Sequence, residues 1–224
     1  MFKLGALIVT ASLAAGGASA ATGDAYVYRV LNGYNSEPRG KVEYRVQKTE
    51  ADRVELAVTT DTPSAGVART EIAAKDGNWL RRALASHDQL RDFAFTSPLP
   101  VYTPPSQESG AWSTRVDAVD PATGQRSSVR VDGEVLGNER VTVPAGTFDT
   151  IKIKRNTYLG DFDTFRRETK VEDVDWYAPA LGRPVRSESK SSWQDYSRCT
   201  RGGCPWFRGD WNISELVEIR AAKP

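Results

Sequence analysis

Residues 141–149 read Val-Thr-Val-Pro-Ala-Gly-Thr-Phe-Asp and continue as Thr-Ile-Lys-Ile-Lys to residue 154. Apolar and polar residues alternate on both sides of a Pro-Ala-Gly segment, which is typical of two strands joined by a turn. Pro144 fixes φ at the bend and lacks an N–H donor, whereas Gly146 can adopt the positive φ that closes the turn. We therefore predict a β-hairpin here, with Phe148 on its packed face.

A second stretch predicts another hairpin. Residues 176–185 read Trp-Tyr-Ala-Pro-Ala-Leu-Gly-Arg-Pro-Val. Trp176 and Tyr177 end a strand-like run, and Pro179 and Gly182 provide the residues that turns favour. The chain then resumes an alternating pattern, so strand, turn and strand follow one another again.

The two hairpin stretches resemble the V-P-A-G-T-F and W-Y-A-P-x-L-G motifs of an uncharacterised family of bacterial periplasmic β-domain proteins, a domain of unknown function. The resemblance covers about residues 134–190. It implies a curved antiparallel sheet, similar in shape to the half-barrels of periplasmic lipoprotein and lipid carriers. The resemblance assigns no catalytic residue to this sequence. The similarity to lipid carriers is an analogy of fold alone.

The rest of the chain is also strand-like. Period-two alternation recurs between residues 26 and 58, between 112 and 136, and from 140 to 221. Residues 78–95 fit either a short helix or a hairpin. The four prolines of residues 97–106 predict a surface loop or the connection between two halves of the sheet. We predict an all-β fold: one curved antiparallel sheet or half-barrel of roughly ten strands, with room for one short helix.

Residues 1–20 have the pattern of a secretory leader. Lys3 precedes an apolar run of about 12 residues, too short to cross a bilayer, and Ala18-Ser-Ala20 is a small-x-small cleavage site. Cleavage near Ala20 would leave residues 21–224 as a single β-domain, periplasmic or secreted, in a bacterium. The mature chain has no apolar run long enough for a transmembrane segment.

The composition argues against several classes of function. Thirty basic and 29 acidic residues give a net charge of +1, which disfavours nucleic acid as a partner. A single histidine, His87, and two cysteines cannot supply most catalytic zinc sites or an iron–sulfur cluster. We expect no metal and no cofactor, and no residue is assigned a catalytic role.

Cys199 and Cys204 flank a short Gly-containing loop. In an exported protein this spacing favours a structural disulfide that closes residues 199–204. The alternative, a redox-active dithiol, lacks the two-residue spacing and the helix start of thioredoxin-like motifs.

Aromatic and basic residues are concentrated between residues 193 and 211. Such side chains on a rigid loop are typical of binding hot spots, although they would equally pack over the disulfide and seal one end of the sheet. The candidate residues for binding a ligand or partner are Trp193, Tyr196, Arg201, Trp206, Phe207, Arg208 and Trp211.

A run of acidic residues between 161 and 175 suggests paired catalytic carboxylates or a calcium site. Arg166, Arg167 and Lys170 interrupt the run, and the spacing does not match a calcium loop. The alternation instead favours the solvated face of a hairpin.

We expect an exported, non-enzymatic cell-envelope protein that binds an apolar small molecule or a partner segment on a curved sheet. One alternative is a hydrolase that uses carboxylates such as Asp163 and Glu172 on an envelope polysaccharide. Another is a structural module that docks on an envelope protein through residues 193–211. The sequence does not predict the oligomeric state.

Overall fold

The computed structural model describes residues 20–62, 68–86, 89–102, 110–160 and 166–222. Apart from Ala20, the predicted leader lies outside this range. The described residues form twelve strands: β1 Ala25–Asn32, β2 Pro38–Thr49, β3 Arg53–Thr60, β4 Arg69–Ala74, β5 Trp79–Ser86, β6 Gln89–Leu99, β7 Ala111–Val119, β8 Arg126–Val143, β9 Gly146–Tyr158, β10 Arg166–Ala178, β11 Arg183–Asp195 and β12 Trp206–Arg220. A 3-10 turn at Tyr196–Arg198 is their one helical element. No described helix is long and apolar enough to cross a bilayer.

The strands form a closed antiparallel barrel. Each strand pairs with the next along the chain, and β1 pairs with β12, so that Tyr28 lies opposite Leu216 and Asn32 opposite Asn212. The all-β antiparallel prediction is confirmed, but the half-barrel of roughly ten strands is wrong in both closure and strand number. Closure depends on a pairing between the two ends of the chain, which local alternation does not encode. It also removes two open sheet edges.

β5 and β6 pair antiparallel across residues 79–86 and 89–95, so the alternative of a short helix is wrong for these residues. Leu84 and Phe93 are buried, whereas Leu90 is exposed. The leucine spacing that fits a helix therefore does not mark one buried face.

The predicted surface loop is wrong for residues 97–102. β6 continues through Pro98 to Leu99, and Val101 and Tyr102 are buried. The Asn78 side-chain oxygen accepts hydrogen bonds from the backbone N–H groups of Val101 at 2.8 Å and Tyr102 at 3.0 Å. This amide holds the chain against the core, while residues 103–106 lie outside the described range.

Two apolar clusters form the core. One contains Phe93, Leu99 and Ile153 and draws mainly on β5–β9. The other contains Tyr26 and Leu216, with the β8–β9 turn packed against it. At that turn, the Ala145 N–H donates to the Leu216 carbonyl at 3.2 Å. Side chains can fill the interior of an eight-stranded barrel. A twelve-stranded barrel is wider, and cavities remain beside these clusters.

Candidate functional site

Two cavities open among the side chains of the barrel, and Arg183 lines both. The larger, here called the polar chamber, has a volume of about 270 Å³. Its lining includes Tyr28, Tyr44, Trp79, Arg82, Tyr102, Arg155, Asp173, Ser187 and Ser189. The smaller, here called the apolar chamber because most of its side chains are aliphatic, has a volume of about 220 Å³; besides Lys75 and Arg183, its lining includes Tyr26, Val46, Val54, Leu56, Ala73, Pro179 and Leu181.

The second hairpin motif positions Arg183 between the chambers. Pro179 to Gly182 form the turn between β10 and β11, with the Gly182 N–H donating to the Pro179 carbonyl at 3.2 Å. Gly182 has a φ of +63°, a conformation that glycine adopts without strain. Arg183 then begins β11, with its side chain among the residues that line both cavities.

Arg155 is the centre of a buried charge network. It lies 3.1 Å from Asp173, also forms an ion pair with Asp175, and Asp175 accepts a hydrogen bond from the Ser187 hydroxyl. Burial raises the pKa of Asp175, and the neighbouring Asp173 raises it further, while Arg155 opposes both effects. The Arg155 guanidinium carbon also lies 4.9 Å from the centroid of the Trp79 ring. Arg155 therefore has two carboxylate partners and an aromatic neighbour inside the protein, although its Nε atom is buried without a hydrogen-bond partner.

Glu71 holds a second pair of arginines. Only 2% of this residue is exposed, and its carboxylate lies 2.5 Å from Arg82 and 3.0 Å from Arg69. Arg82 also donates a hydrogen bond to the Tyr44 hydroxyl at 3.4 Å and lies 5.1 Å from the Trp79 ring centroid. Both arginines thus have a carboxylate partner.

Arg183 differs from these arginines. Its guanidinium carbon lies 4.2 Å from the ring centroid of Tyr26, 4.8 Å from that of Tyr44 and 5.7 Å from that of Tyr28. Only 9% of the residue is exposed, and its Nη1 atom is buried without a hydrogen-bond partner. No carboxylate of the described residues forms an ion pair with it. Aromatic faces surround this cation, and one of its donors is left unused.

Burial keeps two tyrosines of the barrel, Tyr28 and Tyr177, neutral at physiological pH. Burial raises the pKa of Tyr28 to about 12, and its hydroxyl donates to the Pro184 carbonyl at 2.7 Å. Burial likewise raises the pKa of Tyr177 to about 12, and its hydroxyl donates to the Asp76 carbonyl at 2.9 Å. The Tyr28 phenol, which lines the polar chamber, therefore adds no negative charge to it.

The predicted binding residues of the 193–211 loop lie on two faces of the β11–β12 hairpin. Trp193 and Phe207 are cross-strand partners, with ring centroids 6.1 Å apart and nearly parallel rings. Trp206 and Arg208 flank Phe207 in the strand and so point to the opposite face. Trp206 is 46% exposed and has the Lys170 ammonium 5.8 Å from its ring centroid.

The remaining loop candidates are also dispersed. Trp211 packs against Tyr34, with ring centroids 5.5 Å apart, and the Lys190 ammonium lies over the Trp211 ring. Tyr196 and Arg201 are exposed, in the 3-10 turn and in the disulfide-closed turn. The structure does not gather the seven residues into one surface, and their role in binding stays a prediction.

The disulfide and both hairpin motifs are present. Cys199 and Cys204 are bonded, with Cα atoms 4.1 Å apart. Pro144 and Ala145 form the turn between β8 and β9, and Gly146 has a φ of +141°. Phe148 packs against the second apolar cluster, as does Trp176.

The expectation of a solvated acidic face is wrong for part of the 161–175 run. Asp173 and Asp175 are buried and face Arg155. Glu172 alternates with them and lies on the other face, opposite Asn156 and Lys190. Asp161 and Asp163 lie outside the described residues.

Sequence reasoning missed the arginines of the chambers, above all Arg82, Arg155 and Arg183. A signal was present in β9, where Arg155 follows Ile151 and Ile153 at the two-residue period of a single face. A charged residue in phase with apolar ones predicts a buried, paired group. Arg183 has no such signal because it begins its strand.

Comparison with known proteins gives a family resemblance and a fold. Residues 106–193 match the protein family described as DUF3108-like, a range that contains Arg155, Asp173, Asp175 and Arg183. No curated protein matches the chain. A structure from Parabacteroides distasonis ATCC 8503, described as a candidate lipoprotein, superposes with a TM-score of 0.53 at 17% identity and covers 89% of this chain and 96% of that chain.

A structure from Bacteroides fragilis NCTC 9343, described as a candidate exported protein with a YmcC-like fold, gives a TM-score of 0.51 at 16% identity. It covers 90% of this chain and 97% of that chain. At these identities the two structures show a shared fold. The resemblance predicted from the two hairpin motifs is confirmed: over residues 106–193 this chain is similar to the DUF3108-like family.

Proposed function

We propose that this chain is an exported cell-envelope protein that holds a small amphiphile inside its barrel. The predicted leader and the disulfide both fit export. The two solved structures that share the fold are described as a candidate lipoprotein and a candidate exported protein, which supports the same location.

One observation carries the proposal: a cavity lined by several charged and hydroxyl side chains and a cavity lined mainly by aliphatic side chains share Arg183 in their linings. A ligand with one polar end and one apolar end would match both linings at once. Each chamber is smaller than the roughly 300–1,000 Å³ of pockets that enclose drug-sized molecules. The ligand is therefore small, or it extends across both chambers.

The test uses Ala73, which lines both chambers. Ala73→Phe would place a ring where the two cavities meet, so it should weaken binding of decanoate or decanol at least tenfold. Titration calorimetry and the fluorescence of Trp79, which lines the polar chamber, report the binding. Ala57→Phe is the matched control because Ala57 alternates with the buried Leu56 and Val58 and points outward.

Native mass spectrometry of protein purified from its own periplasm gives a second readout, in which a bound small molecule should survive in the wild type and be lost in Ala73→Phe. If neither amphiphile binds and the purified protein carries no small molecule, the proposed function is wrong.

A further inference from the structure

We propose that Arg183 binds the acidic group of the ligand, and that this group is an oxyanion such as a carboxylate or phosphate. The inference rests on the proposed function and names the chemistry of its ligand. It assigns to Arg183 the role of recognising charge at the junction of the two chambers.

The first step is the charge balance of the buried arginines. A guanidinium stays protonated in proteins, and a buried charge needs a partner. Arg82 has Glu71, and Arg155 has Asp173 and Asp175. Only 9% of Arg183 is exposed, compared with 3% of Arg155, yet among the described residues no carboxylate pairs with Arg183.

The second step is what surrounds Arg183 instead. The ring faces of Tyr26 and Tyr44 lie within 5 Å of its guanidinium carbon. Cation–π contacts offset part of the cost of burying the charge. They do not satisfy the N–H donors, and Nη1 is buried without a hydrogen-bond partner.

The third step is the donor set that an oxyanion would meet. The Arg183 guanidinium donates no hydrogen bond to the described residues, and the 9% of this residue that stays exposed lies at the two cavities that it lines. The Tyr44 oxygen accepts a hydrogen bond from Arg82, so its own hydroxyl proton is left to donate. A charge-assisted hydrogen bond to an oxyanion is the strong interaction that a guanidinium makes.

The fourth step is the position of the apolar chamber. Leu56, Val46 and Leu181 line this cavity together with Arg183. An acyl or alkyl group attached to the oxyanion would enter it, while the acidic group stays at the guanidinium. The ligand class is therefore a small amphiphilic acid.

The experiment compares decanoate, decyl phosphate and decanol, which share a chain and differ in the head group. The wild type should bind at least one of the two acids at least tenfold more tightly than decanol, and the preferred acid identifies a carboxylate or a phosphate ligand. Arg183→Gln should remove this preference by weakening the acid at least tenfold, with decanol binding unchanged. Arg183→Lys, which keeps the charge, should retain part of the preference.

Arg186→Gln is the matched control. It makes the same change three residues along β11, where the arginine pairs with Glu188 and Glu215 instead of lining a chamber. It should preserve the preference for the acid. Retained binding of decanol shows that each variant is folded.

The outcomes separate the two proposals. Equal affinity of the wild type for acids and decanol, or an unchanged preference in Arg183→Gln, would overturn the assignment to Arg183 and leave the binding function standing. Failure of all three amphiphiles to bind, together with a purified protein that carries no small molecule, would overturn the binding function itself.

Discussion

Arg155 neutralises two carboxylates inside the barrel, and all three side chains are more than nine-tenths buried. Removing one partner of a buried ion pair leaves an uncompensated charge in a medium that solvates it poorly, which costs about 3–5 kcal/mol. We therefore expect Arg155→Met to lower the free energy of unfolding by that amount. Urea unfolding followed by circular dichroism measures it.

The control for this residue is Arg140→Met. Arg140 lies 3.6 Å from Asp149, but the two side chains are 74% and 90% exposed. An exposed pair contributes little, so the change should stay within about 0.5 kcal/mol. Equal losses in the two variants would show that the buried network contributes no more than a surface pair.

At the scale of elements, β7 and β8 pack a tryptophan over a glycine. Trp112 lies opposite Gly133, and a Cβ atom at Gly133 would overlap the indole ring. The ring cannot move freely because its N–H donates to the Pro100 carbonyl at 2.8 Å. Gly133→Ala should therefore cost about 1–3 kcal/mol through overpacking, which calorimetry should show as a lower Tm.

Gly110→Ala is the comparison, because a Cβ there would meet nothing nearer than the Val135 carbonyl oxygen at 3.9 Å. Its Tm should differ little from that of the wild type. A Gly133→Ala protein as stable as Gly110→Ala would mean that the indole ring shifts without cost.

Strands and turns that are determined by residues within them could be predicted from the sequence. Elements that depend on pairing with other strands could not. Alternation and the Pro and Gly residues of the two hairpin motifs predicted β8 to β11, because a turn is decided by the residues within it. The prolines of residues 97–106 were misleading. Pro98 lies in β6 beyond Ala94 and Phe95, the residues that pair with β7. It also lies in the irregular part of the pairing with β5, between Ala94 and Leu99, where a missing N–H donor is tolerated.

On the scale of the whole molecule, the chambers are built from distant parts of the chain. Tyr28 and Pro184, joined by a hydrogen bond beside Arg183, are 156 residues apart. This contact depends on the pairing of β1 with β12, which no local sequence pattern predicts. The sequence could therefore predict the strands and the disulfide, but not the polar interior that closure creates.

Alkaline pH should destabilise the barrel as a whole. Burial raises the pKa of Tyr28 and Tyr177 to about 12, whereas tyrosines in the unfolded chain titrate near 10. Between these values the unfolded state releases protons that the folded state retains. Stability is therefore fully present below pH 10 and falls as pH rises towards 12, by up to about 1.4 kcal/mol per pH unit for each tyrosine.

Urea midpoints measured from pH 9 to 11.5 test this prediction, together with phenolate absorbance. The double variant Tyr28→Phe and Tyr177→Phe should show a shallower decline with pH, although it loses two hydrogen bonds and is less stable at pH 9. An unchanged slope would mean that these two hydroxyls are not protected from ionisation.

The pairing of β1 with β12 also determines when folding can finish. Residues 25–32 find their partner in residues 212–220, so the first strand made is matched to the last. If the chain is exported with its N-terminus first, one edge of β1 stays unpaired until the final strand has been translocated. This long-range step carries the largest loop-closure entropy in the molecule, and a chain stalled during secretion would present the bare edge to other proteins.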